Sequence, residues 1–167
     1  MFFLLLQDKS KNKHKKTILM ESRTAKWFEV RVSYEKQMGE GEHAHMPELY
    51  VVDALTFGEA EERVTKEVMP FVNGNFEVKA IAPAAYSEIF FSNDASESFW
   101  YKVKLQFIIL DEKSGKEKRA NITYLVQAGT LNGAVRNVEE IMQGSMQQFA
   151  IANISETKVM DVFVHQA

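Results

Sequence analysis

The sequence predicts an α+β protein built from two tandem copies of a ββαββ unit. The stretch from Leu49 to Val64 recurs as Thr123 to Val138, in register at a separation of 74 positions, and the match continues outward at 73 positions from Trp27 to Trp100. Repetition on this scale indicates a duplicated structural unit. Each copy combines period-two strands with one amphipathic helix, which predicts antiparallel sheets with one helix per copy. Because neither copy can bury much core alone, we expect both to pack with pseudo-twofold symmetry as one domain.

The first copy spans residues 26–91 and opens with two strands. Residues 26–35 alternate between apolar and polar side chains, which predicts a strand with one buried face. The polar residues 36–48 contain two glycines and a proline, which predicts a long loop. The second strand is expected at residues 49–54.

A helix follows in the first copy. Thr56 can cap its N-terminus, and Glu59 stands three residues later at the spacing of a capping box. Pro70 ends the helix because it lacks an N–H group and clashes with the preceding turn. Strands are then predicted at residues 76–81 and 86–91.

The second copy spans residues 99–165, after a short linker at residues 92–98. A turn at residues 111–116 replaces the long loop of the first copy, so the sequence predicts a tighter hairpin here. Thr130 caps the second helix, without a capping box because Gly133 stands at the position of Glu59.

Residues 1–25 differ in composition from both copies. Six Lys or Arg residues stand there against two Asp or Glu residues, after a short apolar run. That run is too short to cross a membrane and stands on the wrong side of the charges for a secretory signal. We therefore expect a disordered basic leader, with Met20 as a candidate for the true start, and no membrane association.

The charge and cysteine content narrow the class of protein. Residues 26–91 carry six basic side chains against twelve acidic ones, and a field of that sign repels polyanions. The absence of cysteine excludes disulfides, thiolate catalysis and zinc–cysteine sites. It is compatible with a cytoplasmic location, which we expect.

No spacing in the sequence indicates a catalytic site or a cofactor. The weak metal candidates are His43 and His45, whose rings would lie on one side if the segment were a strand, although a solvated acidic loop is the simpler interpretation. A nucleophilic Ser or Thr would need an activating base nearby, and the sequence places none beside one.

The clearest binding signal is a basic hairpin in the second copy. A basic strand surface with an aromatic side chain can track a phosphate backbone and stack bases, while an ordinary solvated hairpin is the alternative interpretation. The residues concerned are Trp100, Lys102, Lys104, Lys113, Lys116, Lys118 and Arg119.

Four segments carry a resemblance to a known family. They are YVVDALTFGEAE (Tyr50 to Glu61), YSEIFF (Tyr86 to Phe91), DEKSGKEK (Asp111 to Lys118) and MDVF (Met160 to Phe163). They resemble the family catalogued as domain of unknown function 4494, which occurs in Bacteroidetes and their phages. The resemblance covers about residues 25–164, which favours the later start at Met20. Since that family has no assigned activity, the resemblance implies no catalytic residues.

The predicted function is a non-catalytic cytoplasmic module that works by protein contact or self-association, through sheet edges and exposed aromatic side chains. The alternative is single-stranded nucleic-acid binding through the basic hairpin. The tandem arrangement of strands and helices is similar to that of the Whirly and PUR-type single-strand binders, although the element order would be a permutation. That alternative therefore rests on fold analogy.

Overall fold

The computed structural model describes residues 26–165 in full and, as backbone strands, residues 3–5 and 17–21. The described residues form ten strands and two α-helices, with a 3-10 helix at Met69–Phe71. In chain order the elements are β1 (Phe3–Leu5), β2 (Thr17–Glu21), β3 (Lys26–Gly39), β4 (Glu42–Ala54), α1 (Phe57–Val68), β5 (Phe76–Pro83), β6 (Glu88–Phe91), β7 (Phe99–Leu110), β8 (Glu117–Ala128), α2 (Leu131–Met142), β9 (Phe149–Glu156) and β10 (Val159–Phe163).

The described chain forms two compact units, and the predicted α+β class is confirmed. The α1 unit contains residues 26–85 and 158–165, with α1 on a four-stranded sheet in the order β10-β4-β3-β5. The α2 unit contains residues 86–157 and the two N-terminal strands, with α2 and a six-stranded sheet in the order β1-β2-β6-β8-β7-β9. Two strands therefore lie within the predicted leader, and the rest of residues 1–25 is outside the described chain.

The last strand of each sequence copy belongs to the sheet of the other unit. Strand β6 pairs in parallel with β8, and β10 pairs in parallel with β4. Both sheets are therefore mixed, and the prediction of antiparallel sheets is wrong for these two pairings. The unit boundaries also differ from the predicted ones at residues 86–91 and 158–165. Period-two alternation identifies the buried face of a strand but does not name its partner, which is why the sequence pattern missed this exchange.

The change of sheet takes place over a few residues. The N–H of Ala84 donates to the carbonyl of Trp27 in the α1 unit, and the N–H of Ser87 donates to the carbonyl of Thr123 in the α2 unit, each over 2.8 Å. At the return crossing, the N–H and the hydroxyl of Thr157 both donate to the carbonyl of Trp100, also over 2.8 Å.

Residues 36–48 are hairpin strands rather than the predicted loop. Strands β3 and β4 stay paired as far as Gly39 and Glu42, so the turn is only Glu40 and Gly41. Gly41 has a φ of +73°, which glycine adopts without a Cβ penalty. The prediction that the second hairpin is the tighter one is also wrong, because its turn spans residues 111–116.

Both predicted helix caps are present. The hydroxyl of Thr56 accepts a 3.1 Å hydrogen bond from the N–H of Glu59, whose carboxylate accepts from the N–H of Leu55 over 2.9 Å. Thr130 accepts from the N–H of Gly133 over 2.9 Å. Helix α1 ends at Val68, and Pro70 lies in the 3-10 helix that continues it.

Each helix buries an apolar stripe on the sheet of its own unit. In the α1 unit the buried cluster contains Phe28, Val30, Val32, Tyr50, Val52, Ala54, Ala60, Val64 and Val68. In the α2 unit it contains Phe90, Val103, Leu105, Tyr124, Val126, Val138 and Met142. Phe90 comes from exchanged strand β6, so the exchange supplies core as well as backbone pairing.

A polar side chain from each helix binds the end of the strand before it. Asn137 donates a 2.9 Å hydrogen bond to the carbonyl of Gln127. At the matching position Arg63 donates to the carbonyl of Asp53, and also to its buried carboxylate over 3.0 Å. The N–H of His165 donates to the same Asp53 carboxylate over 2.8 Å, so the exchanged C-terminal segment contributes to this network.

Candidate functional site

A cavity of about 440 Å³ lies beside the C-terminal end of α1. Helix α1 covers one face of its sheet and ends at Val68. The cavity lies over the part of that face beyond this residue. The described lining combines aromatic, apolar and acidic side chains. These are Tyr34, Glu48, Tyr50, Glu67, Val68, Phe71, Val72, Met160, Asp161 and Phe163.

Two tyrosines share one carboxylate in this cavity. The hydroxyl of Tyr34 donates to Oε1 of Glu48 over 2.9 Å, and the hydroxyl of Tyr50 donates to Oε2 of the same carboxylate. The three side chains come together because β3 and β4 are paired and Glu48 and Tyr50 are two residues apart on one strand. We call Tyr34, Glu48 and Tyr50 the polar trio.

Exchanged strand β10 forms another side of the cavity. Phe163 pairs in register with Val52, and its ring stacks on that of Tyr50 with a centroid distance of 5.3 Å and an interplanar angle of 18°. Asp161 pairs in register with Tyr50. The exchange therefore brings a second carboxylate and an aromatic ring to the polar trio.

The electrostatics of the cavity keep both phenols protonated. Burial raises the pKa of Tyr50 well above its ordinary value, and the hydrogen bond to Glu48 raises it further. For Tyr34 the hydrogen bond to Glu48 is the largest cause that raises the pKa, followed by burial. Both tyrosines therefore remain neutral donors to Glu48 at neutral pH.

The matching place in the second copy has no such trio. By the repeat spacing, Phe107 stands for Tyr34, Ile122 for Glu48 and Tyr124 for Tyr50. Phe107 and Ile122 pack against the apolar core of the α2 unit. The ring of Tyr124 contacts Phe90, the counterpart of Phe163, with centroids 5.0 Å apart. The polar trio is therefore a feature of the first copy alone.

The predicted basic hairpin has one side chain that does not fit the expected surface. Lys102 and Lys104 are exposed, but Trp100 is only 1% exposed and meets the ring of Phe91 edge-on, with centroids 5.3 Å apart. Phe91 belongs to exchanged strand β6, so the sequence pattern could not reveal this contact. Trp100 is therefore buried and does not provide the expected stacking platform.

The remaining basic residues divide between two faces. Arg119 pairs with Ile108 and so shares the face of Lys102 and Lys104, whereas Lys118 pairs with Ile109 and faces the other way. The guanidinium of Arg119 donates to the side-chain oxygen of Gln106 over 3.1 Å. Lys113 and Lys116 are exposed in the turn. Lys102, Lys104 and Arg119 thus lie on one face of the sheet.

A comparison with protein families shows which family the chain belongs to. The profile of a family described as "Domain of unknown function (DUF4494)" matches residues 26–166. The chain belongs to this family. The DUF4494 match includes both copies, all the cavity residues and the basic hairpin. No curated protein and no solved structure matches the chain.

The metal candidates of this DUF4494 protein lie on strand β4. His43 pairs with Gln37 and His45 with Glu35, so both histidines share one exposed face of the hairpin. Within the described part of the chain, no group of three or more His, Asp or Glu side chains is arranged to hold a metal ion. No helix of that part is long and apolar enough to cross a membrane.

The sequence pattern does not predict the polar trio. It predicts Tyr34 and Tyr50 as ordinary strand residues and Glu48 as part of a loop. One signal was present, because Glu48 and Ile122 are opposite in polarity at matching positions within closely similar strands. A buried-face position that changes from apolar to ionisable between two copies is a reason to look for a site.

Proposed function

We propose that this DUF4494 protein is a non-catalytic binding module that works by self-association at the cavity beside the C-terminal end of α1, which we call the first-copy cavity because it contains the polar trio. The observation that carries the proposal is Phe71, whose side chain is 87% exposed at the cavity. Met69 and Met160 nearby on the same unit are each more than half exposed. Large apolar side chains grouped on a surface are typical of an interaction site.

The chemistry of the cavity supports binding rather than nucleophilic catalysis. Its described lining contains no serine, threonine or histidine, and both oxygens of Glu48 are engaged by phenols. The phenols of Tyr34 and Tyr50, which donate to Glu48, have raised pKa values and stay protonated, so neither is an activated nucleophile. A chain without cysteine needs no oxidising compartment to fold, which supports a cytoplasmic location.

Exposed lysines and apolar side chains on the β7–β8 hairpin support a second copy of the chain as the partner. The cavity lining includes Glu48, Glu67 and Asp161. The outer end of the β7–β8 hairpin presents lysines beside exposed apolar side chains, although Asp111, Glu112 and Glu117 bring the net charge of residues 111–118 to zero. Its residues are Ile109, Leu110, Lys113, Lys116 and Lys118. A contact between the hairpin of one molecule and the cavity of another joins two different surfaces, and repeated contacts of this kind build rings or open chains.

Sedimentation equilibrium of the full chain tests this function. We expect the average mass to rise with concentration beyond that of a dimer, and to fall to the monomer in Phe71→Ser and in the double variant Lys116→Glu with Lys118→Glu. Mixing the two variants should restore a dimer, because each supplies the intact half that the other lacks. Leu131→Ser, which changes another half-exposed apolar residue, is the matched control. A monomer at every concentration, or an unchanged mass in Phe71→Ser, would overturn the proposal.

A second candidate function is binding of single-stranded nucleic acid by Lys102, Lys104 and Arg119. The supporting observation is that these three cations share one exposed sheet face. Fluorescence anisotropy of labelled single-stranded DNA and RNA should give saturable binding that weakens steeply with salt. Lys102→Glu with Lys104→Glu should abolish it, whereas Lys113→Glu with Lys118→Glu, an equal change of charge away from this face, should leave most of it. Equal losses in both variants would indicate attraction by net charge alone.

A further inference from the structure

We propose that the first-copy cavity binds a cationic nitrogen group, either an ammonium or a guanidinium. Lysine and arginine side chains carry these groups, and so do small organic amines. The inference deepens the proposed self-association by naming the chemistry of its site, and it rests on that function only for the natural source of the cation.

The hydrogen bonds of the polar trio leave only acceptors for a ligand. A tyrosine hydroxyl has one proton to donate and lone pairs to accept with. Tyr34 and Tyr50 both donate their protons to Glu48. Their oxygens, and the remaining lone pairs of the carboxylate, can therefore only accept. A ligand that satisfies such a site must bring several donors and needs no acceptor, which describes an ammonium or a guanidinium group.

The charge of the lining selects a cation over a neutral donor. Glu48 and Asp161 both line the cavity, and its described lining contains no lysine, arginine or histidine. The carboxylate of Asp161 accepts a 2.8 Å hydrogen bond from the N–H of Val162, which holds it in place. Arg63 on α1 is paired with Asp53 and Glu59, so its charge is compensated by those partners.

Glu67 adds a third carboxylate, but it also lines a neighbouring cavity that contains Lys66. The argument therefore rests on Glu48 and Asp161.

The aromatic lining favours the same class of ligand. Cations are attracted to the faces of aromatic rings, and more strongly where water is partly excluded. Phe71, Phe163 and the two tyrosines of the trio all contribute to the cavity wall. Several aromatic rings together with carboxylates form the type of site that binds ammonium groups.

The second copy demonstrates that the fold does not need these polar groups. Ile122 and Ile141, which match Glu48 and Glu67, pack against the apolar core of the α2 unit. The same strand pairing forms there without a carboxylate at position 122, and Tyr124 also contacts a phenylalanine, although edge-on rather than stacked. An isoleucine at the matching position is compatible with this fold, so the charge at position 48 points to a ligand.

Titration of the full chain with n-butylamine and with methylguanidinium, followed by the backbone amide signals in NMR spectra, tests the inference. The neutral isosteres n-butanol and N-methylurea are the matched ligands. We expect saturable shifts at Glu48, Tyr50 and Asp161 for the two cations, with dissociation constants on the order of millimolar because such small ligands make few contacts. Shifts of equal size with the neutral isosteres would overturn the proposal.

Three variants separate the charge from the shape of the site. Glu48→Gln and Asp161→Asn should each weaken cation binding about tenfold or more. Glu88→Gln is the control, because Glu88 pairs with Tyr124 as Asp161 pairs with Tyr50. Asp161 is exposed, so Asp161→Asn keeps the fold and decides the matter even if Glu48→Gln does not fold. Unchanged binding in Asp161→Asn would overturn the proposal.

A last comparison identifies the source of the cation and separates the two proposals. A short peptide with a lysine between leucines should bind at least tenfold more tightly than butylamine if a polypeptide is the natural ligand, and no more tightly if a small amine is. Cation binding by a protein that stays monomeric would support this inference and overturn self-association. Self-association without any cation binding would overturn this inference and leave self-association standing.

Discussion

The hydroxyl of Tyr34 donates a 2.9 Å hydrogen bond to Glu48, and both partners of this bond are apolar at the matching positions of the second copy. Phe107 and Ile122 occupy those positions and pack into the core. The two copies thus differ at one end of the helix-covered sheet face, where one copy packs apolar side chains and the other carries a polar cavity. This difference makes each copy an internal control for the other.

The hydrogen bond from Tyr50 to Glu48 should contribute measurably to stability. We expect Tyr50→Phe to lower the free energy of unfolding by about 2 kcal/mol, because a hydrogen bond to a charged group is lost and a partly buried carboxylate loses a donor. Urea denaturation measures this. Tyr124→Phe is the matched control, since Ile122 stands where Glu48 would be, and it should have the smaller effect. A larger loss in Tyr124→Phe would contradict the argument.

The contacts that hold the strand ends should differ in strength. Asp53→Ala removes a buried carboxylate that accepts from Arg63 and from the N–H of His165, so we expect a loss of about 3 kcal/mol even though Glu59 still pairs with Arg63. Asn137→Ala removes one neutral hydrogen bond to the carbonyl of Gln127, so the loss should be about 1 to 2 kcal/mol. Thermal and urea unfolding of both variants would establish the order. The reverse order would mean that the ion pair contributes little.

Stability should fall at high pH because of Tyr124. Burial first, and then the charge of Glu88, raise the pKa of Tyr124 from 10.0 to about 12. Between these two pH values the unfolded chain loses this proton while the folded chain keeps it, so the free energy of unfolding decreases with rising pH, by at most about 1.4 kcal/mol per pH unit. Below about pH 10 this contribution is fully present.

Comparing the wild type with Tyr124→Phe isolates the contribution of that phenol from the contributions of all other groups in the chain. Urea unfolding from about pH 9 to about pH 12 should give a shallower decline for the variant. Parallel curves would show that Tyr124 titrates alike in the folded and unfolded states.

Strand exchange predicts where a C-terminal truncation acts. Deleting residues 158–167 removes β10, the parallel partner of β4. Amide hydrogen exchange should therefore accelerate at Tyr50, Val51 and Val52, more than a hundred positions away in sequence. Val162→Asp, a change at a buried residue of β10, should produce the same pattern more weakly. Faster exchange in β7 and β9, with β4 unaffected, would contradict the exchanged pairing.

Local sequence signals predicted the elements well. Thr56 and Thr130 marked both helix starts because a cap depends on residues within one turn. The alternation of apolar and polar side chains located the strands because it also depends only on residues close together in the sequence. The prediction of a loop at residues 36–48 was wrong. The glycines indicated a long loop, but a turn of two residues is enough to join the strands.

Contacts between residues far apart in the sequence could not be predicted from such local patterns. The partner of β6 or β10 depends on the whole chain, and so does the burial of Trp100 against Phe91. The candidate site depends on the same information, since Asp161 and Phe163 reach Tyr50 only through the parallel pairing of β10. Within the candidate site, Glu48 is the residue that a comparison of the two sequence copies could have identified.

The exchange of β6 and β10 has a consequence at the level of the gene. A polypeptide that ends in the linker at residues 92–98 carries β6 without β8, and it lacks the residues that complete its own sheet. The other half carries β10 without β4. Splitting the coding sequence there should therefore yield a complementing pair of fragments, each insoluble or unfolded until the other is synthesised in the same cell.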